Sequence, residues 1–117
     1  MANTFKLKSK TNVGVTTVGI YTVPSATTTV VIGITLANTS GSGINVGVGV
    51  SRAAEGAVGL GTVHDDISLL KNTTIPQGSS LEVMSGNKIV MEASDIFKAE
   101  SDVNNSLDVA LTIMEIS

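Results

Sequence analysis

The stretch that decides the fold is Thr27 to Ser51, TTTVVIGITLANTSGSGINVGVGVS. Val30, Ile32, Ile34 and Leu36 recur at every second residue, and Ile44, Val46, Val48 and Val50 repeat the pattern. A period of two in β-branched residues marks strands with one buried face, because successive side chains point to opposite faces of a sheet. Between the two runs lie Asn38-Thr39-Ser40-Gly41-Ser42-Gly43, residues that accept positive φ or hydrogen-bond their own backbone. The stretch predicts a β-hairpin at the centre of an all-β domain.

The same alternation extends in both directions. Toward the N-terminus, Phe5 and Leu7 alternate with Lys6 and Lys8 in a strand over residues 3–9. A polar loop runs on to Thr16, then Val18, Ile20 and Thr22 form a second strand that Pro24 must end, since proline cannot donate to a ladder. Toward the C-terminus, strands are predicted around Ile67–Lys71, Leu81–Val83, Lys88–Glu92, Ile96–Ser101 and Leu107–Met114. Turn signals separate them, among them Ile75-Pro76-Gln77-Gly78, where proline opens the turn and glycine supplies the positive φ. Eight or nine short strands, with no amphipathic helix, predict an antiparallel β-sandwich of jelly-roll-like form, one domain over residues 1–117.

Composition narrows the function classes. The only aromatic residues are Phe5, Tyr21 and Phe97, so the core is built from Val, Ile, Leu and Ala. Charged residues make up 15% of the chain, which is low for a small soluble domain and predicts surface hidden by assembly into a homo-oligomer or onto a larger body. A net charge of −3 speaks against nucleic acid as a partner, because phosphate binding needs a basic footprint. Lys6, Lys8 and Lys10 alternate along the first strand and read as a charged edge that resists stray pairing. No cysteine is present to form a disulfide or a thiolate zinc site. No apolar run has signal-peptide or membrane-span length, so a soluble protein made in the cytoplasm, without a membrane partner, is expected.

No catalytic, cofactor or metal site is expected. His64 stands beside Asp65 and Asp66, but neighbours on a strand diverge, and two ligands leave a zinc site incomplete. Gly56, Gly59 and Gly61 lack the Gly-Lys-Ser/Thr of a phosphate loop. No nucleophile elbow precedes a helix. The residues singled out are instead candidates for protein contact. Gly47 and Gly49 fall on the outward face of the strand after the hairpin. Glycine there signals either close approach of another backbone, a subunit contact being one form of it, or a local bend or bulge. Arg52, Gly56 and Gly59 belong to an irregular segment expected to be a loop that meets partners.

Several segments resemble small virion structural proteins of tailed phages, especially those of marine cyanobacterial phages. They are Met1 to Lys6 (MANTFK), Tyr21 to Pro24 (YTVP), Val30 to Ser40 (VVIGITLANTS), Leu70 to Asn72 (LKN), Ile75 to Glu82 (IPQGSSLE), Lys88 to Glu92 (KIVME) and Asp108 to Glu115 (DVALTIME). They run in order along nearly the whole chain; residues 52–66 match nothing in the family. The resemblance implies a non-enzymatic virion component assembled in the host bacterial cytoplasm. Its partners would be the major capsid protein, for a decoration (cement) protein, or neck, collar and tail proteins. A host-surface binding module of tail-fibre type is the alternative. It lacks an aromatic platform, because Tyr21 and Phe97 both sit in expected core strands.

Overall fold

The computed structural model describes residues 3–52, 67–83 and 88–117. Nine strands succeed one another: β1 (Asn3–Val13), β2 (Val18–Thr22), β3 (Thr28–Asn38), β4 (Ile44–Ser51), β5 (Ile67–Ile75), β6 (Ser80–Glu82), β7 (Ile89–Met91), β8 (Ile96–Ser101) and β9 (Leu107–Ile116). They form two antiparallel sheets. Sheet A has the order β1-β9-β3-β6, with β7 also pairing β3, and sheet B has the order β2-β8-β4-β5. The strands thus build the expected all-β sandwich, and no helix occurs among the described residues.

The core lies between the sheets. Val46, Val48 and Val50 of β4, Phe97 and Ala99 of β8, and Leu107, Val109, Leu111 and Ile113 of β9 are all buried, each set at a period of two. Ile34, Leu36, Ile44, Ile75 and Met91 fill the remaining space and are at most 1% exposed. With one phenylalanine inside, close packing rests on interdigitated branched aliphatics.

The predicted hairpin is not formed. β3 lies in sheet A and β4 in sheet B, so residues 39–43 arch between the sheets. Asn38 dictates this crossing. Its amide donates to the carbonyls of Ser42 (2.8 Å) and Ile75 (3.0 Å), and its oxygen accepts from Ser40 N (2.9 Å) and Ser40 Oγ (2.8 Å). Both donors and both acceptor positions of the side chain are filled. The arch is thereby fixed to the end of β5 rather than folded back on β3.

The phase of β3 also differs from expectation. The ladder with β9 shifts between Val31 and Gly33, so Ile32 is an extra, bulged residue. A one-residue insertion exchanges the two faces of a strand. Thr29 and Val31 face the core before it, and Ile34, Leu36 and Asn38 after it. Val30 and Ile32, expected in the core, are only half-buried.

Two strands run longer than predicted. β1 continues through a register shift at Asn12 (φ 58°) to the buried Val13. β5 continues through Asn72 (φ 53°) to the buried Ile75. In each case an asparagine in the left-handed region turns the chain so that the next apolar side chain reaches the core.

Candidate functional site

Among the described residues β1 pairs with β9 alone, and no described strand lies along its other edge. The register places Phe5 opposite Met114, Lys6 opposite Ile113, Leu7 opposite Thr112 and Lys8 opposite Leu111. Because Ile113 and Leu111 point into the sandwich, Lys6 and Lys8 share the inner face of sheet A, and Phe5 and Leu7 share the outer one. Inward-pointing lysines on an edge strand oppose pairing with a further strand.

The inner lysines close the sandwich at this corner. Lys6 Nζ lies 2.7 Å from Glu115 Oε1. Glu115 Oε2 accepts the Tyr21 hydroxyl proton at 2.5 Å, and the Tyr21 oxygen lies 2.7 Å from Thr29 Oγ1. Since the tyrosine proton is committed to Glu115, the Thr29 hydroxyl is the donor of the second bond. Lys8 Nζ sits 5.8 Å from the centre of the Tyr21 ring, in cation–π range. Hydrogen bonds from Lys6 and then from Tyr21 hold the Glu115 carboxyl below the usual carboxylate range. Burial, then the bond to Glu115, pushes the Tyr21 phenol up to about 12. This chain of contacts ties β2 of sheet B to β1, β3 and β9 of sheet A.

The outer face of sheet A carries an apolar row. Phe5 pairs with Met114, Met114 with Val30, and Val30 with Val90 of β7, so four apolar side chains cross the sheet in register. Phe5 is 70% exposed, Val90 61%, and Leu7, in the next row, 68%. Leu7, Thr112 and Gly33 form that next row, and among the described residues none but the chain neighbours of Gly33 comes within 4 Å of where its Cβ would stand. Sequence reasoning missed this surface. Its signal was the unbroken run Val30-Val31-Ile32, apolar on both faces of one strand.

The outer face of sheet B carries a groove of about 230 Å³ lined by Asn45, Gly47, Leu70, Lys71, Lys98 and Glu100, among others. The glycines expected at contacts lie here. The β4–β5 ladder shifts register between Val46 and Val48 and again between Val48 and Gly49, with the extra residue in β5 each time, while β4 pairs β8 without a shift. The close backbone approach also exists, and it comes from the same chain. A Cβ on Gly49 would collide with the Ile67 carbonyl oxygen, and one on Gly47 would lie 3.3 Å from the Leu70 carbonyl oxygen. Both glycines line the groove, Gly49 buried and Gly47 half-buried.

Arg52 ends β4 in an ion pair: its Nε lies 3.1 Å from Asp95 Oδ2 and its Nη2 3.4 Å from Glu92 Oε2. Asp95 is buried and also accepts the Glu92 backbone N–H at 3.0 Å. Arg52 thus fastens β4 to the turn between β7 and β8. Gly56, Gly59 and His64 lie outside the described residues. Among the described residues no three His, Cys, Asp or Glu side chains converge as metal ligands, and no helix is long and apolar enough to cross a membrane. What the arrangement offers chemically is surface: an apolar sheet face, a polar groove and a guarded strand edge.

No protein-family model matches the chain, and no curated protein matches it. Two solved structures are similar in fold. One is a chain of the acid-stable capsid structure of Helicobacter pylori bacteriophage KHP30, with TM-score 0.54 and 14% identity, covering 100% of this chain and 94% of that one. The other is a chain of Bacillus endospore appendages, described as disulfide-linked pili, with TM-score 0.50 and 14% identity, covering 99% of this chain and 87% of that one. This chain has no cysteine with which to form such links. At this identity the likeness is one of fold.

Proposed function

We propose that this chain is a non-enzymatic structural protein of a phage particle, a decoration (cement) protein that binds and stabilises neighbouring capsid subunits. The observation that carries the reading is the likeness, over 100% of the chain, to a chain of a phage capsid structure. The interleaved sheets β1-β9-β3-β6 and β2-β8-β4-β5, read as a jelly roll, support it. So does a surface poor in charge, suited to burial against repeated neighbours. The attribution to marine cyanobacterial phages rests on the sequence segments alone.

The proposed contact with neighbouring particle subunits is the outer face of sheet B, through Gly47, Gly49 and the groove they line, with Arg52 at the end of β4. Gly56 and Gly59 belong to the same proposal. Immunogold labelling of purified particles tests the reading. Label over the head is the expected result. Label confined to the neck or tail would replace decoration by a collar or fibre role. Particles without label, from cells rich in the protein, would overturn the virion assignment.

A further inference from the structure

We infer that the edge of β1 turned away from β9 is a docking site for an extended segment of another protein, acidic at every second residue, which adds to sheet A as a further strand. The site is separate from the groove on sheet B, and it does not depend on the virion reading.

β1 offers 11 residues, Asn3–Val13, and no described strand lies along this edge. The backbone N–H and C=O groups of such an edge are a template for strand addition. The register gives the edge a sign. Lys6, Lys8 and Lys10 stand opposite Ile113, Leu111 and Val109, so all three share the inner face, at steps of about 6.8 Å. The Lys6 side chain is 42% exposed, so the flank of the sandwich is open to solvent here. Among the described residues Lys8 and Lys10 belong to no ion pair. The β9 carboxylates near the ends of the row already accept from this chain, Glu115 from Lys6 and Tyr21, and Asp108 from the Asn12 N–H.

Charge selects the occupant. A second copy that pairs antiparallel through β1 about a two-fold axis keeps inner face with inner face, so Lys8 would meet Lys8 and Lys6 would meet Lys10. Like charges directly opposite are destabilising, and opposite charges are stabilising. The lysines that guard the edge against its own kind therefore admit an acidic strand, and repulsion of one partner with attraction of another is what makes a contact specific. Such a strand sets a carboxylate beside each lysine on the inner face. Its intervening residues lie on the outer face beside Phe5 and Leu7, which are 70% and 68% exposed, and apolar side chains suit those positions.

Fluorescence anisotropy and amide hydrogen exchange on the full chain test the proposal. The probes are a synthetic peptide alternating glutamate with valine and its counterpart alternating lysine with valine. The glutamate peptide should bind and should slow exchange at every second amide of β1, those turned away from β9. The lysine peptide should bind at least about tenfold more weakly. Lys8→Gln combined with Lys10→Gln should weaken the glutamate peptide about tenfold while the unfolding midpoint is retained. If that variant does not fold, the two peptides on the unaltered protein still decide. Lys71→Glu, in the groove on sheet B, should change nothing. The proposal is overturned by a glutamate peptide that does not bind, by equal binding of the two peptides, or by binding that leaves β1 exchange unchanged or is lost in Lys71→Glu. It is overturned too if the β1 amides slow with protein concentration in the absence of peptide, which would make a second copy the occupant. Particle labelling is a separate readout, so the virion reading and the docking edge can fail independently.

Discussion

Tyr21 of β2 donates its hydroxyl proton to Glu115 of β9 across 2.5 Å, and this bond joins the two sheets where the core gives out. Tyr21 is 7% exposed and Glu115 is 9% exposed, so neither group exchanges its partner for water without cost. Replacing Tyr21 by Phe leaves Glu115 Oε2 without its donor, Lys6 remaining on Oε1, and removes the acceptor of the Thr29 hydroxyl. We expect Tyr21→Phe to lose about 1–3 kcal/mol in urea unfolding at neutral pH. A loss below about 0.5 kcal/mol, the range of ordinary surface changes, would show that the network carries no stability.

The same network sets both limbs of the pH profile. Glu115 is held below the usual carboxylate range, so its contribution is present above its unfolded pKa and is lost as pH falls through the depressed folded value. Tyr21 is raised to about 12 against an unfolded value of 10.0, so its contribution is whole below pH 10 and declines as pH rises toward 12. Tyr21→Phe should flatten the alkaline limb, and Glu115→Gln should flatten part of the acid limb. Denaturant midpoints from pH 3 to pH 12 for the three proteins check this; parallel curves would refute the assignment.

Most of the fold was legible because a period of two survives wherever a ladder is regular. Ile44 to Val50 and Leu107 to Ile113 show it in sequence and in burial. The departures share one cause. Bulges at Ile32 and Asn72 insert a residue that no local pattern announces, and each shifts the phase of the rest of its strand. The lost hairpin has a different cause. A turn-rich hexapeptide fits a hairpin and an inter-sheet arch equally, and the choice depends on Ile75, 37 residues from Asn38. The glycines were found, but not the direction from which they are approached: the carbonyl over Gly49 belongs to β5. The apolar face of sheet A stayed hidden because pairing of Phe5, Met114, Val30 and Val90 is a property of strand order.

Gly49 separates the two readings of glycine in β4. Any side chain there meets the Ile67 carbonyl, a backbone atom that cannot swing aside. Gly49→Ala should therefore destabilise the fold itself, by about 1–3 kcal/mol or more. Gly41, in the arch, has open space around it, and Gly41→Ala should stay within about 0.5 kcal/mol of the unaltered protein. Thermal and urea unfolding of the pair check this. Equal stabilities would mean that β5 does not lie over Gly49.

Leu111 tests the core in the middle of sheet A. It is fully buried, pairs with Ile34 and Lys8 across its two neighbours, and lies between the sheets. Leu111→Ala should cost about 2–5 kcal/mol, the transfer term plus a cavity that rigid strands on both sides cannot collapse. The exposed Thr112, one residue on, points the opposite way, and Thr112→Ala should cost less than about 0.5 kcal/mol. A reversal of the two values would place β9 in the other phase.

Asn38 tests the arch. Its amide nitrogen serves two carbonyls, Ser42 and Ile75, while its oxygen serves Ser40. Asn38→Asp keeps the shape and the acceptor but sets a buried carboxylate oxygen against two carbonyl oxygens. It should cost about 2–5 kcal/mol at pH 7, since two acceptors lose their donor and a buried charge gains none. Protonation gives the acid a proton to donate, so Asn38→Asp should recover part of that loss relative to the unaltered protein as pH falls from 7 to 4. Asn38→Ala cannot recover in this way. Urea midpoints of the three proteins at both pH values decide the matter. If the Asp and Ala variants respond alike to pH, the side chain does not bond those two carbonyls, and the crossing from β3 to β4 is held by backbone contacts alone.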